Sequence, residues 1–363
     1  MGDVDPAFVQ EQEHRPKLGI TEAEGIPIID LSILSSSDAT PDHSQALEGL
    51  VKQVGNACRD WGFFQVINHG VSLEKREKIF NASKEFFAQP VEEKNKIRRD
   101  DKSMSGYYDT EHTKNVRDWK EVFDFASPNP ILMYASCKPH EGEIIKWYNK
   151  WPEYYPELST AVSREVCEDY AKEIERLAFT LMELIALSLS LQPDRFHGFF
   201  KEQTTFIRLN HYPPCPAPHL ALGVGRHKDP GALTILAQDD VGGLEVRRKS
   251  DGEWIFVKPT PNSYIINVGD VIQVWSNDAY ESVEHRVKVN SEKERFSIPY
   301  FFNPAHDTLV KPLEEIANEK NPAKFRPYTW GEFLATRKRG NFQKLDVENI
   351  QTYHFRVSES ADK

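Results

Sequence analysis

The 363-residue sequence predicts a mainly β protein with flanking helices, its core a double-sheet jelly roll. Three observations predict this. After Gln192, eight short strand-like runs follow one another, each bounded by Gly, Pro, Asp or Asn. Ser250-Asp251-Gly252 supplies a hairpin turn between two of them. Long helical periodicity is confined to the chain before them. One large β-rich domain with an added helical layer reaches this length without a second core.

Taken in order, residues 1–24 are polar without periodicity and read as a flexible tail. Residues 25–200 read as an N-terminal α/β region. Ile26–Leu31 is a short buried strand, and Ser44–Trp61 carries helical spacing through Leu47, Leu50, Val51, Val54 and Cys58. Gly62–Asn68 is a second strand, stopped by His69-Gly70. Leu73–Phe87 is a helix ended by Gln89-Pro90. Asp101–Lys120 is polar and Gly/Tyr-rich, hence loop, and its charged and aromatic groups make it a candidate substrate loop. Val122–Phe125 is a brief strand, and a long helix runs from about Thr160 to Leu191. Residues 201–305 form the jelly-roll core. Its runs are Thr205–Tyr212, Ala232–Gln238, Leu244–Arg248, Trp254–Lys258, Tyr264–Val268, Val271–Trp275, Glu284–Val289 and Phe296–Phe302. Residues 306–363 hold a helix near Thr329–Arg337 and a polar tail.

Composition narrows the function classes. The formal charge is −11, which argues against a nucleic-acid surface. No apolar run is long enough to span a bilayer, so no membrane partner is expected. The polar N-terminus is not a secretory signal. Cys58, Cys137, Cys167 and Cys215 are widely spread with no Cys-x-x-Cys pair. That pattern favours reduced thiols in the cytoplasm. A monomer acting on a small molecule is expected.

The chemistry concentrates at His227, Asp229 and His285. Side chains two apart on a strand share a face, so His227 and Asp229 can project together. His285 can close the set from another strand. Two imidazoles and one carboxylate on one face of a metal leave positions open, the arrangement of non-haem Fe(II) oxygenases. Ten residues on, Arg295 and Ser297 stand two apart. A guanidinium fork and a hydroxyl are suited to hold the distal carboxylate of a dicarboxylic keto acid whose other end chelates the metal.

Motifs around these residues resemble the plant 2-oxoglutarate/Fe(II)-dependent dioxygenases, a family that includes flavonol synthase, anthocyanidin synthase and gibberellin oxidases. They are Asn210-His-Tyr-Pro-Pro-Cys-Pro-Ala-Pro218, Leu222-Gly223, His227-Lys-Asp229, Leu233-Thr234, Gln238-Asp-Asp240, His285-Arg-Val287 and Arg295-Phe-Ser297. Upstream, Ile26-Pro-Ile-Ile-Asp30 and Trp61–Gly70 are similar to the family's N-terminal region. The resemblance spans about residues 25–340. It implies a distorted double-stranded β-helix fold, with His227, Asp229 and His285 as iron ligands and Arg295 and Ser297 on 2-oxoglutarate. Tyr212 and Asn210 match residues near that co-substrate. Lys228 stands where the family often has Thr, and its side chain should point away from the metal. The implied reaction uses Fe(II), O2 and 2-oxoglutarate, with ascorbate as reductant. It releases succinate and CO2 and oxidises a C–H bond of a plant small molecule, most simply by hydroxylation. Flavonoid, terpenoid, phenylpropanoid and alkaloid scaffolds are all compatible.

Phe123, Phe125, Arg208, Phe301 and Asn303 match positions that line the family's substrate pocket. Arg208 is costly to bury alone, so it meets either an acidic substrate group or a neighbouring carboxylate. Two other readings compete with a 2-oxoglutarate enzyme. One is an oxidase of the aminocyclopropane-carboxylate type that uses ascorbate instead. The other is a non-catalytic jelly-roll binding protein.

Overall fold

The computed structural model describes residues 4–17, 26–35, 40–100, 103, 105–134, 143–152, 164–340, 345–346 and 348–357. Helices form where apolar positions recur at helical spacing and a cap is present. Helix α1 (Pro41–Asp60) is capped by Thr40, whose hydroxyl accepts from His43 N at 3.2 Å. Ser72 caps α2 (Leu73–Phe87) in the same way. A short helix, α3 (Val91–Lys96), follows Pro90. Helix α4 (Arg164–Ser188) buries Cys167, Tyr170, Ile174, Leu177, Leu181 and Ile185 on one stripe.

These helices cover one face of an eight-stranded sheet. Its order is Ile28–Asp30, Phe63–Ile67, Tyr264–Val268, Leu233–Gln238, Arg295–Phe302, Phe206–Tyr212, Glu121–Ala126 and Gly106–Tyr108. The first pair is parallel and the rest antiparallel. The second sheet has four strands, in the order Leu222–His227, His285–Lys288, Leu244–Arg247 and Trp254–Phe256.

Strand alternation sorts the core into two layers. Phe296, Ile298, Tyr300 and Phe302 join Phe86, Phe123, Tyr170 and Leu181 between sheet and helices. Phe63, Tyr212, Val224, Val246, Ile265 and Val287 pack between the two sheets. Arg295 and Ser297 belong to the inter-sheet face, paired in register with Tyr212 and Asn210.

Several elements differ from the sequence reading. Val271–Trp275 is not a strand but the middle of helix α5 (Asp270–Trp275), all six residues of which are buried. A short continuous apolar run has no periodicity to separate the two states. Leu222–His227 is a strand that the sequence hides, because Gly223, Gly225 and Arg226 break its alternation. Residues 101–120 are not simply loop: they carry Gly106–Tyr108 and a small hairpin, His112–Thr113 with Val116–Arg117. The tail assignment for residues 1–24 is corrected for residues 4–17, which lie on the core. Gln10 N donates to Leu220 O at 2.9 Å, and Phe8 packs on Trp119 at 4.8 Å. Residues 18–24 and the start of the predicted long helix at 160–163 lie outside the described residues. Helix α6 (Trp330–Gly340) is close to its predicted place.

Candidate active site

His227 and His285 are register partners across the four-stranded sheet, with ring centroids 4.2 Å apart. His227 ends its strand, and Asp229 sits just beyond it rather than on it. The chain there is held by Asp270 N, which donates to Asp229 O at 2.8 Å. The three side chains nevertheless converge. Asp229 Oδ1 lies 3.5 Å from His227 Nε2 and 3.6 Å from His285 Nε2. One ligand atom from each fits within 4.8 Å of the others.

The remaining polar atoms of the trio are already engaged. His227 Nδ1 is 2.9 Å from Gly225 O, and His285 Nδ1 is 3.2 Å from Val283 O. A carbonyl can only accept, so each Nδ1 carries the proton and each Nε2 keeps its lone pair. Asp229 Oδ2 accepts from Thr234 Oγ1 at 2.6 Å and from Asn267 Nδ2 at 2.9 Å, leaving Oδ1. Burial, with His227 alongside, pushes His285 down to about 4, so it is neutral at pH 7.

Arg295 is 2% exposed, and its Nη2 donates to Gln238 Oε1 at 3.0 Å. Its Nε and Nη1 are buried and have no hydrogen-bond partner among the described residues, nor does Gln238 Nε2. Buried donors left unanswered call for an acceptor from outside the chain, and a guanidinium calls for an anion. Tyr212 lies under the guanidinium, ring centroid 5.0 Å from Cζ. Asn210 Nδ2 donates to Ser297 Oγ at 3.4 Å, and Asn210 Oδ1 is orphaned. The four residues expected around a keto acid therefore form one cluster. None of the four lines the cleft described next.

That cleft, about 570 Å³, opens on His227 and Asp229. Phe301, Arg208 and Asn303, three of the five residues expected at a substrate pocket, line it. Phe301 stacks with Phe206 at 4.7 Å. Arg208 is not free for a ligand: it pairs with Asp124 (2.7 and 2.8 Å) and Glu111 (2.7 and 3.0 Å). Asn303 Nδ2 is held by Thr204 O at 3.3 Å. Phe123 and Phe125 are placed elsewhere. They are fully buried on the helix side of their strand, against Phe86 and Trp151, whereas the alternate residue Asp124 faces Arg208. The expectation was one residue out of phase with the pleat.

Sequence reasoning missed Asn267 and gave Thr234 and Gln238 no role beyond their motifs; all three act through other residues. It placed α6 but gave it no part in the site. Arg337 of that helix donates to the carbonyl of Lys228, the residue between His227 and Asp229, at 3.3 Å. It also holds Ile350 O at 3.1 Å and Gln351 Oε1 at 2.6 Å. The 112–117 hairpin lines the cleft through His112–Asn115, and Asn115 exchanges hydrogen bonds of 3.0 and 2.9 Å with Leu345.

Residues 203–304 match the 2OG-Fe(II) oxygenase superfamily, and residues 26–154 match the N-terminal region of the non-haem dioxygenase in morphine synthesis. The chain is 38% identical over 334 residues to Jasmonate-induced oxygenase 2 of Arabidopsis thaliana, covering 90% of this chain and 83% of that one. It is 33% identical over 352 residues to oxoglutarate-dependent flavonoid 7-O-demethylase 1 of Ocimum basilicum, covering 95% and 87%. The crystal structure of JOX2 in complex with 2OG, Fe and JA superposes with a TM-score of 0.75 at 34% identity, over 92% of this chain and 89% of that one.

Proposed function

The chain belongs to the 2OG-Fe(II) oxygenase superfamily, and from that premise we propose that His227, Asp229 and His285 hold Fe(II) while Arg295 and Ser297 hold the distal carboxylate of 2-oxoglutarate. The enzyme is an Fe(II)- and 2-oxoglutarate-dependent dioxygenase that oxidises a small molecule. One observation carries the residue assignment. Three ligand atoms converge, while every other polar atom of the same side chains already has a protein partner. The orphaned donors of Arg295 support the second half.

When bound, the iron supplies O2 activation coupled to decarboxylation of 2-oxoglutarate to succinate and CO2. The chain's own contribution is placement. The Gly225 and Val283 carbonyls fix both imidazole tautomers, and Thr234 and Asn267 fix the Asp229 rotamer. Tyr212 and Gln238 hold the Arg295 fork in plane for bidentate contact. The 570 Å³ cleft beside His227 suits a drug-sized molecule. A flavonoid, terpenoid, phenylpropanoid or alkaloid scaffold fits that size, with hydroxylation as the simplest outcome and ascorbate as reductant. Cys58, Cys167 and Cys215 are buried and unbonded, which supports a reducing cytoplasmic setting; Cys137 lies outside the described residues. Among the described residues no helix is long and apolar enough to cross a membrane.

The test is anaerobic titration of the metal-free protein with Fe(II) and 2-oxoglutarate, followed by succinate assay in air. A charge-transfer absorption that needs both additions, and succinate that needs both, are expected. Succinate formation independent of 2-oxoglutarate, or iron retained in full by Asp229→Ala, overturns the assignment.

A further inference from the structure

One buried cation on the cleft wall has no acid to answer it. Lys338 of α6 is 8% exposed and lines the cleft. Among the described residues its ammonium makes no hydrogen bond or ion pair; it sits over the face of Phe206, 3.8 Å from the ring centroid. The surrounding charges explain why. Glu111 and Asp118 answer Lys120, and Glu111 and Asp124 answer Arg208. The two acids nearest Lys338, Asp124 and Glu111, are thus already bonded to other cations. A buried charge without a partner is strongly destabilising, and a ring face offsets only part of that. Beside the ammonium, Phe206 and Phe301 form an apolar wall.

We propose that Lys338 anchors a carboxylate of the organic substrate, so that the substrate is a small organic acid whose apolar body packs on Phe206 and Phe301. This rests on the cleft being the substrate site of the dioxygenase. Arg208 does not take that role, because both faces of its fork are already occupied by Asp124 and Glu111. Burial pushes Lys338 down to about 7, and an incoming carboxylate reverses that by restoring a counter-charge.

The test compares 4-phenylbutyric, 2-naphthylacetic and dehydroabietic acids with their primary amides. The readouts are stimulation of succinate release at saturating 2-oxoglutarate, and thermal shift of the Fe(II)-loaded protein without turnover. At least one acid should act at a concentration tenfold or more below its amide. Lys338→Met should erase that ratio, and Lys338→Arg should keep most of it. Equal potency of every acid and amide on the unaltered enzyme overturns the proposal even where a variant misfolds. So does an unchanged ratio in folded Lys338→Met. Succinate release that requires Fe(II) and 2-oxoglutarate, with any compound or none, reports separately on the iron and 2-oxoglutarate assignment. Its absence under every condition sinks that reading, whereas its presence with no acid preference sinks only this one.

Discussion

Thr234 and Asn267 contribute to the proposed iron site without touching the metal. Each donates to Asp229 Oδ2, so each fixes which oxygen is left. Thr234→Val keeps the shape and removes one donor; iron affinity should fall roughly 10- to 100-fold, read as the Fe(II) concentration for half-maximal succinate. An unchanged Fe(II) requirement would show that Asn267 alone suffices. Arg295→Ala removes a charge-assisted contact worth about 1.5–3 kcal/mol. The 2-oxoglutarate requirement should rise by roughly 10- to 150-fold with iron binding intact, and an unchanged requirement would assign that carboxylate to another residue. The pH dependence belongs to Lys338, which faces Asp124, Glu111, Arg99 and Arg208. Only its charged form attracts a carboxylate, so affinity for an acid is full below about 7 and falls as pH rises above it. Half-saturating acid measured from pH 6 to 9 should climb in the unaltered enzyme and stay flat in Lys338→Met. His227 with Asp229, and Arg295 with Ser297, were legible in the sequence because each pair sits two residues apart, and His285 through its place ten residues before Arg295 in the family's motif order. The roles of Asn267 and Gln238 were not, because each reaches its partner far along the chain through a strand register that no local pattern encodes; Thr234 lies only five residues from Asp229, but the fold of the intervening loop decides that they meet. Phe123 and Phe125 failed on parity alone, since an almost wholly buried strand shows no alternation to choose a face.

At the scale of elements, the count of eight core strands between residues 206 and 302 was right while its membership was wrong. Val271–Trp275 became helix α5, and Leu222–His227 took its place. The exchange matters to the site, because the hidden strand delivers His227 and the unforeseen helix anchors Asp229 through Asp270 N. The glycines that hid the strand have a packing reason. A Cβ at Gly223 would stand 2.6 Å from Tyr212 Cδ1, closer than any side chain tolerates. Tyr212 in turn lies under Arg295. Gly223→Ala should therefore cost about 1–3 kcal/mol in stability, measured by urea unfolding. It should also raise the 2-oxoglutarate requirement by tilting the ring beneath the guanidinium. A loss of stability with the co-substrate requirement unmoved would uncouple Tyr212 from that site.

Across the whole molecule, the proposed metal site bridges two sheets that pack on each other through an apolar cluster. His227 and His285 belong to the four-stranded sheet, whereas Asp229 hangs from Thr234 and Asn267 of the eight-stranded sheet. Phe63 of the larger sheet packs on the His285 ring at 5.2 Å, and Val224, Val246, Ile265 and Val287 fill the space between. An ion held by all three ligands ties the sheets together in the folded state and has no comparable site in the unfolded chain. Folding stability must then rise with metal and co-substrate by mass action, about 2.7 kcal/mol at a hundredfold excess over the dissociation constant. Anaerobic melting should show a midpoint several degrees higher with Fe(II) and 2-oxoglutarate together than without metal. Asp229→Ala should lose the whole increment, because it removes the one ligand supplied through the larger sheet. Arg295→Ala should lose only the part added by 2-oxoglutarate. The order of these losses is the discriminating result. If Asp229→Ala keeps the full increment, the ion sits elsewhere. If Arg295→Ala loses the Fe(II) increment as well, the guanidinium supports the fold of the site rather than its ligand.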